Sequence, residues 1–231
     1  MWLQWIQGLS ERLPSRCAVC HTWPSQAVCE GCIERFAQPK NRCLTCALAL
    51  PQGILHCGAC LRTPPPLDAC LAAVSYDYPW AGLITRFKFG ERPAWASALA
   101  RLMRSTPWVE PALDQADWVL PLPLSGQRLR ERGYNQALEL ARALAPQKTR
   151  ASMLLRIRHT PAQSSLQRSE RLRNVSDAFA LQPLGQPGLE NRRVVLVDDV
   201  MTSGASLYAA ARVLRQAGAA HITALVFART E

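Results

Sequence analysis

Two kinds of side chain in this sequence are spaced so that they could do chemistry: paired cysteines near the start and paired aspartates near the end. Eight of the nine cysteines form four pairs, and two residues separate the members of each pair. Asp198 and Asp199 follow an apolar run and precede a stretch of small and hydroxyl-bearing residues. The cysteines predict metal binding, and the aspartates predict binding of a ligand that carries hydroxyl groups.

The paired cysteines are interpreted as zinc ligands. Two thiolates separated by two residues can hold one Zn²⁺ from a tight turn, and two such turns complete a tetrahedron. A disulfide framework requires an oxidising compartment, and the sequence shows no export signal. Redox-active or unliganded thiols fit four pairs in so short a region less well. The predicted ligands are Cys17, Cys20, Cys29, Cys32, Cys43, Cys46, Cys57 and Cys60.

The spacing leaves the zinc count open at one or two structural ions, and it fits both sequential and cross-braced pairing of the turns. This region is too short and too polar to form a core without metal, so the metal would supply its folding energy. The ninth cysteine, Cys70, lies in an apolar run and is predicted to be a buried core thiol.

The segment from Val194 to Ser206 predicts a sugar-phosphate site. Its apolar residues indicate a buried strand that delivers Asp198 and Asp199 to the carboxyl edge of a sheet, where open α/β proteins bind ligands. A turn of small residues and then a helix follow, and the N–H groups that begin the helix can bind a phosphate. Acids and phosphate site at this spacing fit a ribose with its 5′-phosphate. The alternative is that the acids only cap the helix.

Hydrophobic patterning predicts the elements that position these residues. Strands are predicted at 67–76, from 118, at 192–199 and at 221–228. Helices are predicted at AGLITRFKF, ASALARLM, 134–145 and 206–218. Strands that alternate with helices indicate an α/β fold with a parallel sheet covered on both faces. A stiff proline segment, Pro64 to Pro66, is predicted to join a cysteine-rich domain (1–63) to the α/β domain (64–231).

Composition excludes several classes of protein. The chain has 231 residues, 48% of them hydrophobic and 19% charged, which is enough to bury a core. It has no run of about 18 apolar residues, so no membrane-spanning helix is predicted. The first residues lack a basic start and a continuous apolar stretch, which argues against a secretory signal. Trp2, Ile6, Leu9 and Leu13 fall instead at the spacing of a short packing helix. A cytoplasmic protein is predicted.

The net charge is +10, and most of the excess lies between residues 128 and 173. Arg128, Arg130 and Arg132 recur at every second position, which predicts an extended loop that binds pyrophosphate or follows a nucleic-acid backbone. A second basic stretch contains Arg156, Arg158, Arg168, Arg171 and Arg173. The segment 156–174 is predicted to close over the site as a flexible hood. The alternative for these arginines is a solvated surface.

Residues 194–206 resemble the phosphoribosyl-pyrophosphate (PRPP) motif of type I phosphoribosyltransferases. The chain from Cys17 to its end resembles the ComF/GntX-like family, which joins an N-terminal double zinc ribbon to such a domain. Further matching segments are Pro121 to Pro123, Arg128 to Gln136 and Arg158 to Asn174. Ser203 stands where threonine is commoner, and Tyr134 stands where phenylalanine is common.

The resemblance implies roles for individual residues. Asp198 and Asp199 would hold the ribose. The 5′-phosphate would be bound by Thr202, Ser203, Gly204, Ala205 and Ser206. The resemblance also implies Mg²⁺ bound with PRPP. Arg128 and Arg132 join the two aspartates as predicted catalytic residues, because departing pyrophosphate must be neutralised.

Two functions remain open from the sequence. The first is transfer of phosphoribose from Mg²⁺–PRPP, or binding of a related ribose 5-phosphate ligand, with an acceptor that the sequence does not identify. The alternative is a single-stranded DNA-binding accessory protein with a non-catalytic PRPP-like site. The resemblance implies a link to DNA uptake, with competence and recombination proteins as partners. The acid pair favours the first function and the surplus of arginines favours the second.

Overall fold

The computed structural model describes residues 16–23, 25–90, 93–158, 177–182 and 188–231. The chain divides into two compact units, Met1–Gln38 and Pro39–Glu231. The predicted helix around Trp2 lies outside the described residues, as do residues 159–174 of the predicted hood. In the first unit, helix α1 (Glu30–Phe36) begins directly after Cys29.

The second unit contains six strands and seven helices among its described residues. The strands are β1 (Ala69–Ser75), β2 (Trp118–Pro121), β3 (Leu154–Arg156), β4 (Phe179–Leu181), β5 (Arg193–Met201) and β6 (His221–Arg229). The helices are α2 (Gly58–Arg62), α3 (Trp80–Phe89), α4 (Trp95–Arg104), α5 (Val109–Gln115), α6 (Gly126–Arg132), α7 (Gln136–Leu144) and α8 (Ala205–Gln216).

Four strands form one parallel sheet in the order β1-β6-β5-β2. Strands β3 and β4 form a separate antiparallel pair. The central strands carry continuous apolar runs because both faces of the sheet are covered. On one face, Leu196 and Val226 join the hydrophobic cluster that contains α8. Next to Val226, Phe227 packs edge-on against Trp80 of α3, with 5.8 Å between ring centroids.

The predicted α/β class with a parallel sheet is confirmed. The four sheet strands and the helices α3, α4, α7 and α8 lie within a few residues of their predicted positions. The predicted burial of Cys70 is also confirmed, since 3% of this residue is exposed. No described helix has the length and apolar character needed to cross a membrane. The domain boundary at residues 63–64 concerns independent folding and stays a prediction.

Candidate functional site

Asp198 and Asp199 lie near the carboxyl end of β5. Residues 194–197 are fully buried, Asp198 is half-buried and Asp199 is 7% exposed. The N–H of Asp199 donates to Oδ1 of Asp198 at 2.8 Å. The carboxylate of Asp199 forms an ion pair with Nζ of Lys88, 3.1 Å away on α3. The two adjacent carboxylates therefore differ, because among the described residues an ion pair is formed by Asp199 and not by Asp198.

The electrostatics of the pair make Asp198 the unusual member. Burial and the neighbouring charge of Asp199 raise the pKa of Asp198 to about 7. The cations of Lys88 and Arg132 oppose this rise. A carboxyl group with this pKa changes protonation near neutral pH. A ligand that brings hydroxyl donors or positive charge stabilises its ionised form.

The loop after β5 requires glycine at position 204. Gly204 has φ +81°, in the left-handed region that favours glycine. A Cβ at this position would lie 2.6 Å from both Met201 Cε and Tyr208 Cζ. The loop therefore packs directly on the side chains below it and turns sharply into α8.

The start of α8 offers donors to an anion. The first N–H groups of a helix have no partner within the helix, and they carry its positive dipole end. The Oγ of Ser203 accepts a hydrogen bond from the N–H of Ala205 at 3.4 Å. Thr202 is exposed, and Ser203 and Ser206 are half-buried. The hydroxyl and amide groups that the family resemblance assigns to the 5′-phosphate therefore lie together, a few residues after the carboxylates.

The predicted extended loop at Arg128 to Arg132 is wrong, because these residues form α6. The hydroxyl of Ser125 caps the helix by accepting from the N–H of Arg128 at 3.4 Å. Gly133 ends it with φ +75°. Arg128 and Arg132, four residues apart, share one face and are half-buried, whereas Arg130 is exposed. The helix thus separates the two predicted catalytic arginines from the third.

Two arginines, Arg132 and Arg156, interact electrostatically with Asp198, and a third, Arg128, interacts with Arg156. Arg132 donates to Oε1 of Gln136 at 2.8 Å, and its charge favours the ionised form of Asp198. Arg156, on β3, is half-buried. Burial and the positive charge of Arg128 lower the pKa of Arg156, and the negative charge of Asp198 partly opposes this lowering. The structure therefore brings Arg128, Arg132 and Asp198 into one electrostatic group with Arg156.

Sequence reasoning missed Lys88 and did not predict the hydrogen bond that Tyr134 makes. Lys88 is one of three lysines in an arginine-rich chain, and it follows an apolar helical stripe, which was the available signal. The hydroxyl of Tyr134 donates to the carbonyl of Phe87, and the two rings meet edge-on at 5.8 Å between centroids. Tyr134 thus anchors the segment between α6 and α7 to the helix that carries Lys88.

The eight paired cysteines form two groups with sequential pairing. Within each group the sulfur atoms lie within 4.8 Å of one another. The first cluster contains Cys17, Cys20, Cys29 and Cys32, and the second cluster contains Cys43, Cys46, Cys57 and Cys60. Zn–S bonds of about 2.3 Å in a tetrahedron set sulfur atoms roughly 3.8 Å apart. The measured separations agree: 3.8 and 3.5 Å in the first cluster, and 3.7 Å in the second.

The chemistry of the sulfur atoms also fits a metal. Burial alone would raise the pKa of Cys43, but backbone N–H donors, including that of Cys57 at 3.4 Å, bring this pKa down to about 6. N–H groups directed at sulfur stabilise the thiolate that a metal requires. Each cluster can therefore hold one zinc ion, and the cross-braced alternative is excluded for these residues.

Comparison with known proteins places this site in a family. Residues 130–231 match the phosphoribosyl transferase domain. DNA utilization protein YhgH of Salmonella typhimurium is 32% identical over 232 residues, covering 94% of this chain and 98% of that protein. Competence protein F of Haemophilus influenzae is 32% identical over 212 residues, covering 87% and 90%.

A third relative, competence protein ComFC of Bacillus subtilis, is 35% identical over 102 residues, covering 44% of this chain and 40% of that protein. Two of the three relatives match over nearly their whole length, and the two four-cysteine clusters fit a double zinc ribbon. The chain therefore belongs to the ComF/GntX-like family of proteins with a phosphoribosyltransferase domain.

Proposed function

We propose that this protein binds Mg²⁺–PRPP, or a related ribose 5-phosphate ligand, at the carboxyl edge of its sheet and transfers the phosphoribosyl group to an acceptor. The observation that carries the proposal is the adjacency of Asp198 and Asp199 to the Gly204 turn and the start of α8. The strand fixes hydrogen-bond acceptors and the helix fixes donors, a few residues apart. A ribose with a 5′-phosphate needs both at this spacing.

The roles follow from the chemistry of each group. Asp198 and Asp199 accept hydrogen bonds from the ribose hydroxyls. The hydroxyls of Thr202, Ser203 and Ser206, together with the N–H groups of Gly204 and Ala205, bind the phosphate. Lys88 orients the carboxylate of Asp199 through its 3.1 Å ion pair. Carboxylate and phosphate oxygens also suit Mg²⁺, which supplies charge neutralisation to the pyrophosphate group.

Arg128 and Arg132 are proposed to stabilise the departing pyrophosphate. They share one face of α6, and the positive charge of Arg132 acts to lower the pKa of Asp198. Preorganised cations that face a developing negative charge are an effective source of transition-state stabilisation. Arg156, close to Arg128 in the same electrostatic group, is the further candidate for this role.

Titration with Mg²⁺–PRPP by calorimetry tests the proposal. Each charge-assisted hydrogen bond contributes about 1.5–3 kcal/mol, so Asp198→Asn with Asp199→Asn should weaken binding about a hundredfold or more. The matched control is Asp114→Asn with Asp117→Asn, which removes two charges next to the amino end of β2 and should leave binding unchanged. Absence of binding by the wild-type protein at millimolar PRPP would contradict the proposal.

The pKa of Asp198 gives the binding a pH signature. A carboxyl that must ionise to accept from ribose, with a pKa of about 7, opposes binding at lower pH. Affinity for Mg²⁺–PRPP should therefore rise by up to about tenfold per pH unit below 7 and level off above it. The Asp198→Asn variant should lose this dependence.

Binding of single-stranded DNA is the second candidate function. It is supported by the names of the relatives, which refer to DNA utilization and competence, and by the exposed basic side chains of Arg130 and Arg158. In this role, competence or recombination proteins would be partners in the cytoplasm. Pyrophosphate needs only two or three arginines, so the remaining basic residues favour a longer polyanion.

Salt dependence and paired variants separate this function from PRPP binding. Each phosphate contact should contribute about −0.7 to the slope of log affinity against log salt. Replacing Arg168, Arg171 and Arg173 with alanine should weaken DNA binding far more than PRPP binding. Alanine at the exposed Arg35, Arg62 and Arg86 is the control. DNA binding that is absent at low salt, or that survives the first set of changes intact, would eliminate this function.

A further inference from the structure

Arg229, at the end of β6, connects the second cluster to the end of β5. Only 4% of this arginine is exposed. Its Nε donates to the carbonyl oxygen of Cys46 at 2.9 Å, and its Nη1 donates to the carbonyl oxygen of Met201 at 3.3 Å. The N–H of Thr230 donates to the same Met201 oxygen at 3.1 Å. A buried guanidinium needs acceptors for its donors, so it fixes the positions of both carbonyl groups relative to each other.

Met201 lies directly before the loop Thr202–Ser206. Its Cε is one of the atoms that a Cβ on Gly204 would meet at 2.6 Å. Its sulfur lies 3.6 Å from the sulfur of Cys70. The N–H of Cys70 in turn donates at 2.7 Å to the carbonyl of Leu44, which lies between two ligands of the second cluster. Met201 is thus held from the cluster side through both its backbone and its side chain.

Tyr208 supports the same loop from α8. Its ring is the second group that a Cβ on Gly204 would meet at 2.6 Å. Tyr208 and Met201 belong to the buried hydrophobic cluster that also contains all four cysteines of the second cluster. The second cluster and the underside of the loop therefore share one buried core, so a shift in one changes the packing of the other.

We propose that Arg229 is a positioning residue that couples metal binding at the second cluster to the conformation of the loop Thr202–Ser206. With metal bound, the Cys43–Cys46 turn is fixed and the Cys46 carbonyl holds Arg229 against Met201. Without metal, that turn is free to move, and Arg229 loses its acceptor on the cluster side while it keeps those of Met201 and Thr230. This inference rests on the proposed function only for the identity of the ligand that the loop binds.

Coupling of this kind is reciprocal. A metal that favours the binding form of the loop strengthens ligand binding, and by linkage the ligand strengthens metal binding by the same factor. Couplings between sites in proteins commonly amount to about 5- to 150-fold. The first cluster lies in the other unit and has no part in these contacts. It therefore provides an internal comparison.

The coupling is measured on the full chain with Cys20→Ser and Cys29→Ser, so that the remaining zinc reports on the second cluster. Zinc partition against a chelator is determined with and without Mg²⁺–PRPP. We expect PRPP to strengthen zinc binding at least about fivefold. Arg229→Lys, which keeps the charge but loses the two-carbonyl fork, should retain zinc and lose this effect. Arg215→Lys is the matched control, since the described partners of Arg215 are the carbonyls of Ala219 and Ala220 and the carboxylate of Asp68, all outside the second cluster and the loop.

Amide hydrogen exchange of residues 201–206 tests the coupling without PRPP. With zinc retained, Arg229→Lys should accelerate exchange in this loop, whereas Arg215→Lys should not. If wild-type protein does not bind PRPP, the proposed function fails, but this measurement still decides the inference. Loop exchange that is unchanged in zinc-loaded Arg229→Lys, or PRPP-dependent zinc binding that persists in this variant, would overturn it.

Discussion

The two cysteine clusters have the same ligands and similar spacing, but their surroundings differ. The first cluster belongs to the unit Met1–Gln38, and one of its cysteines, Cys20, is exposed. The second cluster belongs to the unit Pro39–Glu231, and all four of its cysteines are buried. Its sulfur atoms belong to the same hydrophobic cluster as Leu196 and α8. The second cluster is therefore part of the core of the α/β unit.

This difference indicates that the same four-cysteine motif has a different structural role in each unit. A metal in the first cluster is expected to organise the short segment that carries its four cysteines. A metal in the second cluster also fixes backbone carbonyls that Arg229 and Cys70 contact. Loss of metal should accordingly have local consequences in the first case and domain-wide consequences in the second.

The largest expected difference in stability is between two single variants, each of which removes one ligand from one cluster. Cys60→Ser should lower the free energy of unfolding of the α/β unit by about 3–5 kcal/mol, because a buried metal ligand and its packing are lost together. Cys29→Ser should release the first zinc and leave the unfolding of the α/β unit unchanged. Thermal unfolding followed by far-UV circular dichroism, with zinc analysis of each variant, measures both. Equal destabilisation by the two changes would contradict the comparison.

A change in the ligand loop should disturb the second cluster alone. Gly204→Ala places a Cβ at 2.6 Å from Met201 and Tyr208 and imposes a positive φ on alanine. The strain should cost about 1–3 kcal/mol. Because both neighbours pack with the second cluster, a chelator should remove zinc from that cluster more readily, while the first cluster is unaffected. Gly133→Ala is the control, since Gly133 also has a positive φ but has open space around it and lies outside the cysteine-rich region.

The last expected effect is a gain of stability from Asp198→Asn. As pH rises above about 4, the carboxyl ionises in the unfolded chain, while the folded protein keeps it protonated until about pH 7. Asp198 therefore destabilises the folded state progressively over this window and fully above it. The asparagine variant should be more stable by on the order of 2 kcal/mol at pH 8, with the gain shrinking toward pH 4.

Thermal unfolding of this variant across pH 4–8 checks the sign. Asp117→Asn should instead lower stability by a constant amount across this range. The reason is that the N–H of Arg193 and the charge of Arg192 lower the pKa of Asp117, and the resulting stabilisation is lost only below about pH 4. Neither change should alter the zinc content of either cluster. A stability gain for Asp198→Asn that does not depend on pH would show that the environment of Asp198 has been misjudged.

Local signals were readable from the sequence and long-range contacts were not. The β5–α8 segment was predictable because strand, acids, glycine turn and helix are contiguous in the chain. Helix α6 was not predicted, because arginines at every second position are typical of an extended segment. The helix is nevertheless marked in the sequence by its caps, Ser125 and Gly133.

The contacts that define the site electrostatically join residues distant in sequence. The ion pair of Lys88 with Asp199 and the bond from Arg229 to Cys46 each span more than a hundred residues. No periodicity or spacing encodes such pairs. For the same reason, the spacing of the four cysteine pairs does not distinguish their surroundings. The fold shows that two of the pairs belong to the core of the α/β unit.

Chelator-driven zinc release, monitored together with circular dichroism, tests the difference between the clusters most directly. We predict two equivalents of zinc released in two phases. The first phase should leave the α/β signal intact, and the second, slower phase should coincide with its loss. Cys29→Ser should remove only the first phase. Release of both ions in a single phase, a total of one equivalent, or a second phase without structural change would contradict the account.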